Sequence, residues 1–507
     1  RRSRRCGSGS LSPMATDSEV MDVPVPELAD RAAACADRLR AADSVLLASH
    51  IDADGLTSAA VAATALERAG IPFDVVFEKQ LDEAAIRSIA ATEHETALFT
   101  DFGSGQLDVV VEYADAVTPV VADHHQPADA AIECHCNPLL EGINGASELS
   151  GAGAAYCVAR ALGGVDNRDL AALTVVGAVG DMQAGVDGLT GANEAIVAEG
   201  VEAGVLQAGT DLAMYGRQTR PLPKLLEYAN DVRIPGISGD ESGAVRFLAS
   251  LDLDLRADGE WKRWVDLTDD ERRTVASALL KRAVASGVPA DRVNDLIGTT
   301  YTLTAEAEGT ELRDVSEFST LLNATARYDR ADVGLAVCLG DRGAALDRAR
   351  TLLRNHRKNL SKGLELVKSE GVRVEEHVQW FDAGTRIRET IVGIVAGMAL
   401  GVDGVRRDRP IIAFASAGPR STGRRAEADG GDDDGDGDGD GEVKVSSRGS
   451  HTLVRRGLDL STVMREAARA VGGDGGGHDV AAGATIPAGE QAAFIDAADD
   501  VVATQLK

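Results

Sequence analysis

From about residue 44 the chain alternates short apolar runs with stretches of helical period. SVLLAS is continuous and apolar. TSAAVAATALERAG behind it places small and apolar residues at helical spacing and stops at Gly70, a residue suited to closing a helix. FDVVF (73–77) predicts a second strand, 81–92 a helix, ALFTDF (97–102) a third strand, QLDVVVEYA a helical stretch, and VTPVVAD (117–123) a fourth strand. Strands alternating with helices predict an α/β fold, a mostly parallel sheet with helices on both faces. Ligands of such sheets bind outside the carboxyl ends of the strands.

Beyond about residue 190 helical spacing dominates, as in ERRTVASALLKRAVASG and the long polar ALDRARTLLRNHRKNLSKGLELVKSEG. RDVSEFSTLLNATARYDRADVGLAVCLGD (313–341) predicts a helix followed by an apolar strand. VRVEEHVQWFDAG opens a smaller C-terminal α/β domain. The expected organisation is a disordered N-terminus and leading helix over 1–42, an α/β core over 43–190, a mainly helical connecting region over 191–370 and the second domain over 371–507. The opening RRSRRCGSGSLSP has no apolar segment of the secretory kind, and MATDSEV from Met14 reads as a natural start. EADGGDDDGDGDGDGE (427–442) holds nothing that could build a core and is expected to be a disordered loop.

Charge changes the picture. Asp and Glu number 81 against 52 Lys and Arg, giving −29, and Arg far outnumbers Lys. The tract at 427–442 carries nine of those acids, so the excess persists without it. Broad acidity with scarce lysine fits a halophilic protein; an acidic protein with one solvated loop is the plainer alternative. Such charge ordinarily disfavours polyanionic ligands. In molar salt the screening length falls to about 3 Å, and the objection weakens. No apolar run approaches the roughly 18–20 residues of a membrane span, and no membrane partner is expected. Six scattered cysteines make no disulfide framework and fit reduced thiols in a cytoplasmic protein; Cys134-His135-Cys136 could hold a metal but has no second pair nearby.

Polar residues gather where the strands end. ASHIDADGLTS puts His50, Asp52 and Asp54 at every second position behind the first apolar run. In extended backbone such residues share one side, so an imidazole and two carboxylates converge and call for a cation. Asp101 ends the third strand, Asp123-His124-His125 end the fourth, and LTVVGAVGDMQ delivers Asp181. Four separated segments thus supply carboxylates and imidazoles to one sheet edge.

SHIDADGLTS, LFTDFG, VVADHHQP and GAVGDMQ resemble the four ordered motifs of the DHH phosphoesterase family, and GGDGGGHDVAAGA resembles the glycine-rich GGGH signature of its DHH-associated second domain. Within the family the sequence is most similar to archaeal, haloarchaeal-type RecJ-like single-strand exonucleases. The resemblance implies two divalent ions, Mn2+ or Mg2+. His50, Asp52 and Asp101 would hold one; Asp54, Asp101, His124 and Asp181 would hold the other. It makes His125 the residue facing the phosphate or leaving oxygen, and Asp123 the one that orients an imidazole. It assigns phosphate binding to Arg448, Gly475, Gly476, Gly477 and His478. Single-stranded nucleic acid is the expected substrate, with replication proteins as expected partners. A phosphodiesterase of short oligonucleotides or cyclic dinucleotides, and a replication scaffold with little activity, are the alternatives. Aromatics are only 4% of the chain, leaving Trp261, Trp264 and Trp380 as candidates for base stacking.

Overall fold

The computed structural model describes residues 23–229, 232–402, 404–416 and 441–506. The expected disorder at the N-terminus and in the acidic tract falls outside these residues, except that Glu442 begins a strand. The chain forms two compact units: one holds the residues up to Ala326 together with Ala331–Ala345, the other Arg327–Arg330 and Leu346–Lys507.

The first unit is built on strands β1 (Val45–His50), β2 (Phe73–Glu78), β3 (Thr96–Thr100), β4 (Thr118–Ala122) and β5 (His135–Cys136). They lie in the order β2-β1-β3-β4-β5, and every neighbouring pair is parallel. Covered on both faces, such strands need apolar residues at every position, and β3 is buried along its whole length. The helices α1 (Ala29–Arg40), α2 (Ala53–Ala69), α3 (Glu83–Ala90), α4 (Leu107–Val110), α5 (Gly151–Gly163) and α6 (Ala171–Gly180) surround the sheet. Asp52 caps α2 by accepting the Gly55 N–H at 2.9 Å, and Gly70 at φ +71° closes it. Small side chains dominate α2 and α5, so the two helices pack closely, and α6 packs on α2 as well.

β5 comes from the Cys-His-Cys segment and adds a strand the hydrophobic pattern does not predict. Its side chains are engaged by protein groups. Cys134 Sγ donates to Ala34 O at 3.6 Å, Cys136 Sγ to Ala154 O at 3.8 Å, and His135 Nε2 lies 2.9 Å from Ser104 Oγ.

The middle region contains a separate core around Leu222, Leu226, Trp264 and Leu279. Beside it run an antiparallel ribbon of β6 (Leu206–Leu212) with β9 (Ile297–Leu303) and a two-residue hairpin of β7 (Arg256–Ala257) with β8 (Glu260–Trp261). The apolar strand expected before residue 341 is instead a helix, Ala331–Cys338. A short apolar run fits either element. Here it packs against α2, where Gly334 leaves room for Leu56.

The second unit carries a mixed sheet of β10 (Arg373–Val374), β11 (Gln379–Asp382), β12 (Ile411–Ser416), β13 (Glu442–Arg448), β14 (Asp474–Gly477) and β15 (Ala481–Pro487). Their order is β10-β11-β12-β13-β15-β14. Phe414 packs edge-on to both Trp380 and Phe494, with ring centroids 5.8 Å apart in each pair. Two of the three tryptophans that could have served base stacking are engaged elsewhere. Trp380 is buried in this core, and Trp264 is buried with its Nε1 donating to Asp211. Among the described residues no helix is long and apolar enough to cross a membrane.

Glu317, on the helix Val315–Arg327, is fully buried and ties that helix to the loop before Leu222. Its carboxylate accepts the Gln218 N–H at 2.8 Å and the Thr219 hydroxyl at 2.5 Å. Burial, with Asp314 nearby, pushes its pKa up to about 7. A carboxyl whose folded pKa is raised stabilises the fold most at low pH and loses that contribution as pH climbs from its ordinary value to about 7. Glu317→Gln removes the titration. Its melting temperature should fall less than wild type's between about pH 5 and pH 8, the difference corresponding to about 3 kcal/mol at most. Thermal melts at both pH values check this; parallel declines would refute it.

Candidate metal centre

The chain leaves β1 at His50 and enters α2 at Ala53. Asp52 is therefore the helix cap and Asp54 lies in the first helical turn, so the extended backbone expected through this motif is absent. The strand-to-helix bend sends the three side chains to two places. His50 and Asp52 meet Asp101, whereas Asp54 meets His124 and Asp181.

Within the first group His50 Nδ1 lies 3.1 Å from Asp52 Oδ2 and 3.5 Å from Asp101 Oδ2. Within the second, His124 Nε2 is 3.9 Å from Asp54 Oδ2, and His124 Nδ1 is 3.8 Å from Asp181 Oδ2. Asp101 joins them, its Oδ1 being 3.3 Å from His124 Nε2. It sits at φ +60°, a left-handed conformation that a non-glycine residue adopts only under constraint. Its backbone N–H still donates to Ala122 O at 3.0 Å, which holds the strained residue at the sheet edge.

The surroundings orient each group. Asp54 Oδ2 accepts the Gly151 N–H at 2.7 Å and Oδ1 the Ala152 N–H at 3.0 Å, both from the start of α5. His124 Nδ1 lies 2.6 Å from the Gly145 carbonyl, a contact that selects the N–H at Nδ1 and leaves Nε2 as the lone-pair nitrogen facing Asp54 and Asp101. Asp123 is wholly buried and accepts from Ser104 N, His124 N, His125 N and His125 Nδ1. Asp181 Oδ2 accepts from Gln183 Nε2, and Gln183 is held in turn by Asn193.

The electrostatics of the site favour a cation. Burial opposes charge on His50 and His124, yet the neighbouring carboxylates raise their pKa values to about 10 and about 11. Burial, with Asp101 and Asp181 nearby, raises Asp54 well above the carboxylate range, and burial raises Asp181 to about 6. Despite burial, His50 holds Asp52 low, and His125 does the same for Asp123. Asp123 in turn raises His125. Asp101 Oδ1 is buried with no hydrogen bond, and Gly151 faces it without a side chain, where a Cβ would lie 2.4 Å away. Carboxylates crowded against imidazoles, an orphaned buried oxygen and a donor set of O and N without thiolate fit divalent cations of the manganese or magnesium kind. Beside them opens a cleft of about 730 Å3, lined by His50, Lys79, Asp101, Phe102, His125 and Gln126.

The other expected site residues lie in the second unit. Arg448 ends β13 opposite Ala481, and His478 N donates to Ala481 O at 2.9 Å, so both stand at one end of the sheet. Gly475, Gly476 and Gly477 form edge strand β14. Gly475 packs against the Met464 carbonyl and Gly477 adopts φ +137°, so two of these glycines answer structural demands. Arg448 is half-buried against Gly393, and burial together with Arg327 lowers its pKa. Gly145, Gly151 and Ser104 lie outside the motifs, whereas Gly177 and Gln183 open and close GAVGDMQ without a role assigned to them there. The small-residue run GAGAA behind Ser150 is a sequence signal that could have led to Gly151.

A parallel sheet with carboxylate–imidazole clusters at its carboxyl edge defines a centre suited to divalent cations, and the family match below makes it that of a metal-dependent phosphoesterase. The chain matches the DHH family, N-terminal domain over residues 44–178, the DHH-CID domain over 214–297 and the DHHA1 domain over 386–504. It belongs to the DHH family. An uncharacterized protein of Methanocaldococcus jannaschii is 28% identical over 466 residues, covering 90% of this chain and 93% of that one. Among solved structures the fold is similar to RecJ from Thermus thermophilus in complex with Mn2+, with a TM-score of 0.56 and 18% identity; the match covers 96% of this chain but only 56% of RecJ. CDC45 from Entamoeba histolytica is similar in fold with a TM-score of 0.64 and 10% identity, over 94% of this chain and 99% of that one.

Gly151→Ala should abolish Mn2+ binding, because its Cβ would enter the space of Asp101 Oδ1. Titration calorimetry on the folded variant checks this; wild-type affinity would remove Asp101 from the metal site.

Proposed function

We propose that the protein is a two-metal phosphodiesterase acting as an exonuclease on single-stranded DNA or RNA, with manganese or magnesium as cofactor. The observation that carries this reading is Asp101, one buried carboxylate shared by two clusters. In this reading His50, Asp52 and Asp101 hold one cation, and Asp54, Asp101, His124 and Asp181 hold the other. Cations bound there supply Lewis acidity toward phosphoryl oxygens and lower the pKa of water.

The chain's own groups do the rest. Gly145 keeps the lone pair of His124 turned inward. His125 lines the cleft with Nδ1 engaged by Asp123 at 2.8 Å, leaving Nε2 for a phosphate or leaving oxygen. Asp123 favours the protonated imidazole, which suits donation to that oxygen. In the second unit Arg448 supplies a planar fork for a phosphate, and His478 with Gly475–Gly477 supplies further donors. The fold shared with RecJ and CDC45 supports nucleic acid as substrate and replication proteins as partners. The five described cysteines are buried and unbridged, which supports a cytoplasmic setting.

With Mn2+ and molar KCl, a 5′-labelled single-stranded DNA, the matching RNA and a dinucleotide serve as substrates. Asp101→Asn should lower the rate at least about a hundredfold, the scale on which even the outer partners of metal ligands matter. Stepwise shortening of the long strands supports the exonuclease. Cleavage of the dinucleotide alone replaces it with a small-substrate enzyme, and inertness toward all three replaces it with a scaffold.

A further inference from the structure

The helix Ala344–Glu370 carries seven basic residues against three acidic ones in a chain of net charge −29. Three of the chain's nine lysines lie on it, although lysine is scarce everywhere else. Its buried side is formed by Leu346, Ala349, Leu352, Leu353, Gly363 and Val367. Arg354, Lys358 and Lys362 are exposed and follow each other at i, i+4 and i+8, one line along the helix. That line is about 12 Å long at 1.5 Å per residue. Lys358, Lys362 and Lys368 have no carboxylate partner among the described residues, and Arg354 donates only to Thr351 Oγ1. Solvation alone would be served by the acidic residues the chain uses elsewhere; here Arg354, Lys358 and Lys362 stand without a carboxylate partner among the described residues.

The positive character continues beyond the helix. Arg327 acts on Arg448 on one side and on His356 of the helix on the other. Burial, Arg327 and Arg357 together lower the pKa of His356, whose Nδ1 is buried without a hydrogen-bond partner. Arg388 stacks over Tyr328 at 4.8 Å, and Tyr328 in turn meets His356 edge-on. Arg448, Arg327 and Arg388 therefore gather within one unit near the turn of the helix that carries His356.

We propose that the exposed line Arg354–Lys358–Lys362 is a docking surface for the phosphate backbone of a single-stranded polynucleotide, continuing from the phosphate grip at Arg448. The proposal rests on the reading of the protein as a phosphodiesterase of nucleic acid and specifies that its substrate is a chain of many nucleotides. Charge complementarity selects the occupant: a regular line of unpaired cations on a helix matches a repeating anion. Contacts of this kind read no sequence, and direct ion pairs persist where salt screens longer range.

The test uses the full chain with Arg354→Glu, Lys358→Glu and Lys362→Glu combined. A charge-matched control reverses Arg246, Arg273 and Lys281 in the first unit, and Arg354→Lys, Lys358→Arg and Lys362→Arg together keep the charge. Binding of a fluorescent 20-nucleotide DNA is followed by anisotropy across KCl concentrations, and Mn2+-dependent hydrolysis of that DNA and of a dinucleotide is followed alongside. The reversed helix should bind the 20-mer at least about tenfold more weakly, with a shallower salt dependence. Dinucleotide hydrolysis should keep its rate, and the charge-keeping variant should bind as wild type does. Unchanged 20-mer affinity, an equal loss in the control, or an equal loss on the dinucleotide would each overturn the proposal. If wild type hydrolyses neither substrate but loses 20-mer binding on reversal, the docking surface stands and the hydrolase reading falls.

Discussion

The whole centre depends on one buried carboxylate held in a conformation it would not choose. Asp101 sits at the end of a fully buried strand, in left-handed backbone, with an oxygen that no hydrogen bond reaches. Strain and desolvation of that kind persist only where the surrounding structure over-determines them. The ladder bond to Ala122, the bare glycine at 151 and the imidazoles on either side supply that constraint.

Close packing of small residues is what makes the arrangement possible. α2 and α5 are rich in Ala, Gly, Ser and Thr, and α6 brings Gly177 against both Asp54 and Thr57. A side chain at Gly177 would overlap the Asp54 carboxylate. Because the helices approach this closely, two backbone N–H groups at the start of α5 reach Asp54. Backbone donors at a helix N-terminus keep a buried carboxylate in place without adding another titratable group.

Charge is distributed just as selectively. The chain is acidic along its length, yet the helix Ala344–Glu370 and its neighbours Arg327, Arg388 and Arg448 form a positive region in the second unit. In a strongly acidic protein a retained basic surface is informative because the background would otherwise supply carboxylates there. Net charge alone therefore says little about which anions a particular face can accept.

The sequence by itself determined the parallel α/β core, the strand ends as the place of chemistry and the identity of the clustered residues. Period and strand-end position are local properties, and the chain writes them directly in SVLLASHIDAD and VVADHH. It did not determine that His50 and Asp52 part company with Asp54, because the bend from strand into helix between them follows from how α2 docks on the sheet. Nor did it determine that VGLAV is helical, since a short apolar run takes whichever form its neighbours can bury. Gly145 and Gly151 are distant in sequence from the residues they serve, and only tertiary packing brings a carbonyl to the imidazole of His124 or a missing Cβ to the carboxylate of Asp101. Local patterns choose elements and donors; which donors share a point in space is decided by packing between segments the sequence keeps apart.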